Sequence, residues 1–170
     1  KKNKKKSYKT SYENLNYINN FEFKITSQNN EDGIIKFVLD KLKLKKINFV
    51  EIGLDYYENN SLNLLSKTRK GLFIDGSDEK IFKLKSIISL LYPFKKIRVI
   101  KKFINKDNIN NTIKENFSNE EEIDFLSLDV DGNDYYLLEI LDIKPKIICL
   151  EYNFWFGPEI KCSVLYDKIF

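Results

Sequence analysis

The chain has 170 residues, enough for one domain with an ordinary core, which at this size buries roughly 70% of the unfolded surface without disulfide or metal staples. It is 42% hydrophobic, 14% aromatic and 32% charged, and no apolar run approaches the ~20 residues that span a bilayer, which argues against a helical membrane span. The formal net charge is +4, but Lys1, Lys2, Lys4, Lys5, Lys6 and Lys9 account for it, so the remaining chain is near neutral and does not read as a nucleic-acid binder by charge.

That basic start reads as a solvated tail, with a phosphate or membrane-surface contact as the alternative. No apolar stretch follows it, so it is not a secretory signal. Cys149, in an apolar β-rich run, and Cys162, in a polar stretch, read as free thiols of a reducing compartment, and the expected location is the cytoplasm. The sequence contains no Met, and the natural start is expected upstream of Lys1.

Residues 1–24 show no sustained period and read as an irregular lead-in to a domain over 25–170. After Ser27, the residues Asn29, Asn30, Glu31 and Asp32 supply capping and first-turn acids, and Ile34, Ile35, Phe37, Val38, Leu42 and Leu44 recur at helical spacing. The run 47–52, Ile-Asn-Phe-Val-Glu-Ile stopped by Gly53, has the β-branched and aromatic density of a strand buried on both faces. A helix through Leu62, Leu64 and Leu65, a strand at 72–74 closed by Asp75-Gly76, and a helix at 78–91 follow. Next come a strand at 97–100, a polar helix at 108–117, a strand at 123–130, a helix at 135–141 and a strand at 147–152. Strands alternating with helices at this spacing predict an α/β, Rossmann-like, doubly wound and mainly parallel sheet with helices on both faces. The chain stops soon after the fifth strand, so the C-terminal strands of such a sheet are expected to be missing. The rule that sites form where strand order reverses further predicts that the first and fourth strands are adjacent, with Gly53 and Asp129 flanking one crevice.

Four of the five expected strands carry an acid at or near the carboxyl end: Glu51, Asp75, Asp129 with Asp131, and Glu151. Ligands of open α/β sheets bind at that edge, although acids near helix starts also serve as caps. Asp75 lies 24 residues beyond Glu51, close to the ~20 expected between a nucleotide-binding first turn and the acid that grips ribose hydroxyls. The first turn, Gly53-Leu54-Asp55-Tyr56-Tyr57, has a single glycine and does not offer the close backbone approach that a pyrophosphate needs. This argues for a nucleoside cofactor without that group.

Several segments, taken together and in order, carry a resemblance. They are Ser27-Gln28-Asn29-Asn30-Glu31-Asp32-Gly33, Phe49-Val50-Glu51-Ile52-Gly53, Glu58-Asn59-Asn60, Gly71-Leu72-Phe73-Ile74-Asp75-Gly76, the run from Leu126 through Asp129-Val130-Asp131-Gly132-Asn133-Asp134 to Tyr135, and Glu151-Tyr152-Asn153 with Phe156-Gly157-Pro158. From about Ser27 onward the chain resembles the FkbM-like branch of S-adenosylmethionine-dependent methyltransferases. The resemblance implies a class I transferase fold and O-methylation of a hydroxyl on a sugar, glycan precursor or other small metabolite. It implies cofactor contacts from Glu51 and Gly53 at the first strand end, Asp75 at the second, and the Asp129 region at the fourth. The glycine-rich turn usual in methyltransferases is here reduced to Gly53.

Methyl transfer is an in-line displacement at a sulfonium, so the protein must align the partners, favour a cation and remove a proton from the acceptor. Carboxylates and aromatic faces suit the cation, which makes Tyr56, Tyr57 and Trp155 candidates beside the strand-end acids. With no His in the chain, the base must be Asp, Glu, Tyr, Lys or a metal-activated hydroxyl. Asp131, just past the fourth strand and followed by Gly132, is the first choice, with Asp129 ordering the site and Asp134 read as a helix cap. Asp129 and Asp131 also form an Asp-x-Asp pair able to offer oxygen ligands to a divalent cation. Gln28, Glu31 and Asp32 are placed as cofactor contacts at the start of the first helix, with ordinary helix-start capping as the alternative, Gly76 beside Asp75, and Asn153 with Trp155 as acceptor contacts. Two other readings stay open: a metal-dependent sugar-nucleotide transferase built on Asp129 and Asp131, and a non-catalytic nucleoside-binding domain.

Overall fold

Successive residues of a strand point to opposite faces of its sheet, so a strand covered on both sides must at every position be apolar or have its polar groups paired. The run Ile47–Ile52 is buried throughout, with Ile47, Phe49, Val50 and Ile52 apolar and the side chains of Asn48 and Glu51 hydrogen-bonded. It forms the centre of the fold in a computed structural model of the protein, which describes residues 17–118, 120–152, 155 and 159–168. The strands are β1 (Ile47–Ile52), β2 (Thr68–Asp75), β3 (Lys96–Lys101), β4 (Phe125–Leu128) and β5 (Ile147–Leu150). The helices are α1 (Glu31–Lys41), α2 (Asp78–Leu91), α3 (Ile109–Lys114) and α4 (Asp134–Glu139). All strand pairs are parallel and the sheet order is β3-β2-β1-β4-β5, so the order reverses between β1 and β4.

The period-two alternation sorts the core into two layers. Phe49, Phe73 and Phe125 face α1 and α2, where they meet Ile35, Leu39, Ile81, Leu84 and Ile88. Val50, Ile52, Leu72, Ile74, Leu126 and Leu128 face the other way, against Ile109 and Ile113 of α3 and Leu137 of α4. The three phenylalanines are fully buried, and each contributes about 2–3 kcal/mol by leaving water. Phe49 and Phe73 meet edge to face at 4.9 Å between centroids. At the amino-terminal edge of the sheet the buried Asp124 carboxylate ties three strands together. It accepts the Asn48 N–H at 2.8 Å, Arg69 Nη2 at 3.1 Å and Lys146 Nζ at 2.7 Å.

Several elements differ from the sequence expectation. The helix expected through Leu62, Leu64 and Leu65 is a 3₁₀ turn, Leu62–Lys67. Its entering N–H groups are taken by side chains, Ser61 by Glu51 and Leu62 by Asn59, and Thr68 Oγ1 caps the Leu64 carbonyl, leaving too short a piece for an α-helix. β2 begins at Thr68 rather than 72, because its polar start is held by ladders to β1 and β3. β4 is shorter than 123–130, since the Asp134 carboxylate takes the Val130 N–H that a longer strand would have offered to a neighbour. Within the lead-in, Ile18–Phe21 forms one 3₁₀ turn, and Phe21 stacks on Phe37 of α1 at 3.7 Å. No described helix is long and apolar enough to cross a membrane.

Candidate functional site

The turn after β1 is made possible by Gly53. Its φ is +73°, and a Cβ there would overlap the carbonyl oxygen of Asp129. The close approach of these two strand ends opens a cleft of about 1340 Å³ beyond the carboxyl ends of β1, β2 and β4, at the point of reversal. The cleft is walled by the first turn, the Asp75-Gly76-Ser77 corner, the stretch after β3 with Phe103, and the ends of β4 and β5.

On the β1 side the acids hold loops. Glu51 is buried, and its two oxygens accept the N–H groups of Asn60 and Ser61 at 2.8 and 2.9 Å. Burial pushes its pKa up to about 7, against the pull of those donors. Asn60 in turn donates from Nδ2 to Ser127 of β4 at 3.0 Å and to Cys149 of β5 at 3.5 Å, so one loop straps three strands. Burial pushes the Cys149 thiol up to about 12, which keeps it protonated. Asp32 is also buried. Its Oδ2 accepts the N–H groups of Ile25, Thr26 and Ser27 and the Ser27 hydroxyl, and these donors outweigh burial to hold its carboxyl below the usual range. Asp75 accepts the Leu54 N–H at 3.1 Å and the Ser77 N–H at 2.7 Å, with Lys80 Nζ at 3.9 Å. It therefore links the first turn to the start of α2 while keeping lone pairs for a ligand hydroxyl.

On the β4 side the acids crowd. Asp129, Asp131 and Glu151 are exposed to the cleft, with oxygens within 4.8 Å of one another. Removal from bulk water, and then the charges of Glu151, Asp134 and Asp131, push Asp129 up to about 6; Glu151 is raised by the same kinds of cause. Asp131 is held at φ 53° and Gly132 at 114°. The Asp134 carboxylate clamps this turn by accepting the Val130 and Gly132 N–H groups at 2.9 and 3.0 Å. Its expected role as a cap is thus exerted on the turn before the helix. Asn133, at the cap position, instead donates to the Asp167 carbonyl at 2.6 Å.

Of the residues singled out from sequence, Gln28, Glu31, Glu51, Gly53, Asp75, Gly76, Asp129, Asp131 and Trp155 all line the cleft. Asn153 lies outside the described residues, as do Phe156, Gly157 and Pro158. Tyr57 lines the cleft, but Tyr56 packs on the core beside α2 under Lys83, whose Nζ is 4.3 Å from its ring centroid. Asn60 and Asp55 carry more of the site than their sequence context suggested. The polar run Glu58-Asn59-Asn60 after a glycine turn was the available signal for the strap, since so many side-chain amides at a sheet end need partners.

No family model matches the chain, and no curated protein matches it. Solved structures that align with it include a precorrin 8w decarboxylase of Methanobacterium thermoautotrophicum, at 15% identity and a TM-score of 0.48 over 68% of this chain and 59% of that one. An S-adenosylmethionine-dependent methyltransferase of Clostridium acetobutylicum aligns at 15% identity and a TM-score of 0.41, over 59% of this chain and 36% of that one. An rRNA methylase of Streptococcus thermophilus aligns at 14% identity and a TM-score of 0.44, over 64% of each chain. The chain thus spans less than two thirds of the length of each of these proteins.

Proposed function

We propose that this chain is the cofactor-binding part of a class I S-adenosylmethionine-dependent methyltransferase of the FkbM-like branch. Its acceptor would be a hydroxyl on a sugar, glycan precursor or other small metabolite. The observation that carries the reading is the cleft at the β1/β4 reversal with Asp75 closing β2, an arrangement suited to a nucleoside ribose. The motif run from Ser27 onward, in family order, supports the branch and the acceptor class. The acids of the first turn and of the β4 side repel a pyrophosphate and favour a cation, which fits a sulfonium nucleoside better than a dinucleotide. Bound there, S-adenosylmethionine supplies a methyl group on a positively charged sulfur. Asp75 and Gly76 would hold the ribose, Gln28, Glu31 and the Gly53 turn would border the remainder, and Asp129 would orient Asp131, the base for the acceptor hydroxyl. Glu51 serves this site through the Asn60 loop that it fixes. Asn153 and Trp155 belong to the acceptor side in this reading.

Calorimetry with S-adenosylhomocysteine tests it. Saturable one-to-one binding is expected, and no heat of binding at millimolar ligand would overturn the reading. A second reading, a metal-dependent sugar-nucleotide transferase, is favoured by one observation, the three carboxylates of Asp129, Asp131 and Glu151 within reach of one ion. Binding of a sugar nucleotide only in the presence of manganese would support it.

A further inference from the structure

The basic residues of the chain are unevenly placed. From Lys80 through Lys106 the sequence holds nine Lys and Arg residues and not one Asp or Glu. This stretch takes in most of α2, all of β3 and the turns after each, and β3 is the edge strand on that side of the sheet. Six of the cations are engaged. Lys80, Lys83, Lys101 and Lys102 pair with acids, Lys95 donates to the Ser66 and Thr68 carbonyls at 3.2 Å, and Lys106 lies over the Tyr136 and Tyr166 rings. Lys85, Lys96 and Arg98 are exposed and meet no acid among the described residues.

The same edge carries apolar side chains that no described residue covers. Ile81, Leu84 and Ile88 form the buried stripe of α2, so Phe82, Lys85, Ser86, Ser89 and Leu90 stand on its outer side at helical spacing. Phe82 is 73% exposed, Leu90 79%, and Phe94, in the turn to β3, 99%. The Ser86 hydroxyl donates to the Phe82 carbonyl at 3.0 Å and is thus spent within the helix. Large apolar side chains exposed together mark an interaction surface, and the charge around them distinguishes its partners. A second copy docked through the same face would set cations against cations. Nucleic acids stack their bases on aromatic rings, which leaves the exposed Leu90 and Leu91 without use. An anionic bilayer uses both kinds of residue, because apolar tips enter its headgroup layer while Lys and Arg meet the lipid charges.

We propose that the α2–β3 edge docks the protein onto an anionic lipid surface, with Phe82, Leu90 and Phe94 entering the headgroup layer and Lys85, Lys96 and Arg98 facing its charges. None of these six residues lines the cleft, so docking leaves the cleft walls untouched.

Co-sedimentation of the full chain with phosphatidylcholine vesicles, with and without about one third phosphatidylserine, tests the proposal. Binding is expected to the anionic vesicles alone and should weaken as salt is added. The double change Leu90→Ser with Phe94→Ser should lower that binding about tenfold or more. Lys96→Gln with Arg98→Gln should lower it about tenfold to thirtyfold. Both variants should melt close to the wild type, because all four side chains are exposed. No binding, or equal binding to the neutral vesicles, overturns the proposal. So does anionic binding that either variant retains in full, which assigns the contact elsewhere, for instance to the lysines at the start of the chain. A protein that ignores vesicles but binds polyuridylate, or that forms a dimer dissociated by Leu90→Ser with Phe94→Ser, has a nucleic acid or a second copy as the occupant of this face, and either result overturns the proposal as well.

Discussion

Asp131 stands in the left-handed region at φ 53°, a conformation that costs most residues about 1 kcal/mol but that Asp and Asn adopt more readily. Asn at this position therefore removes the charge and the basicity while keeping the backbone, and the clamp on the turn belongs to Asp134 in any case. Asp131→Asn should lower methyl-transfer turnover by about 10²- to 10⁴-fold with cofactor affinity and melting temperature preserved. A full-rate variant would remove Asp131 from the chemistry. Asp75 is less cleanly separable, because its carboxylate also holds the Leu54 and Ser77 N–H groups. Asp75→Ala should weaken S-adenosylhomocysteine binding by about 1.5–3 kcal/mol, and calorimetry on a variant shown to be folded measures it. Unchanged affinity would contradict the ribose contact. The strand-end acids were legible in the sequence because each sits at or just past the end of an apolar, β-rich run. Their division of labour was not. Which acid holds a loop and which faces the cleft depends on hydrogen bonds closed through irregular loops, such as Glu51 to Asn60 and Asp32 back to Ile25, that no helix or strand period encodes.

The strands and α2 were legible for a simple reason. A sheet covered on both faces writes mainly apolar runs into its central strands, and Asp78–Leu91 keeps Ile81, Leu84 and Ile88 on one buried stripe behind a Ser77 cap. Where polar residues build an element, the pattern fails: Thr68-Arg69-Lys70 is strand because its ladders are satisfied, and Leu62–Lys67 is a 3₁₀ turn because side chains take its first donors. Asp124 is the clearest case of an element held by one side chain, joining β1 directly, β2 through Arg69 and the start of β5 through Lys146. Asp124→Ala should cost roughly 2–3 kcal/mol. A buried Asn48 N–H left without an acceptor accounts for most of it, and the partly exposed Arg69 and Lys146 add little because water screens them. Chemical denaturation measures the loss, and a cost below ~0.5 kcal/mol would show that the sheet edge does not depend on this carboxylate.

The acids of the molecule pull its stability in opposite directions with pH. Asp32 and Asp124 are held below the ordinary Asp value of 3.8, so the stability they provide is present above that value and is lost as pH falls through their lower folded values. Glu51 and Asp129 are raised, to about 7 and about 6, so the folded chain keeps protons that the unfolded chain releases. Their contribution is fully present below pH 4.5 for Glu51 and 3.8 for Asp129 and declines as pH rises through those windows. Stability should therefore peak near pH 4–5, on the acid side of neutrality, and fall toward pH 8. For the fully buried Glu51 the decline amounts to roughly 3 kcal/mol, on the order of 5–10 °C in melting temperature for a domain of this size. Glu51→Gln isolates the effect. The amide can accept only one of the Asn60 and Ser61 N–H groups, so the variant should be less stable at pH 5 than the wild type, yet its stability should vary less between pH 5 and pH 8. Thermal melts of both proteins across that range decide it by slope rather than by level. A wild-type melting temperature that rises from pH 5 to pH 8, or an unchanged slope in Glu51→Gln, would mean that the Asn60 loop opens enough for water to reach the Glu51 carboxylate, and the strap would then be looser than its hydrogen bonds require.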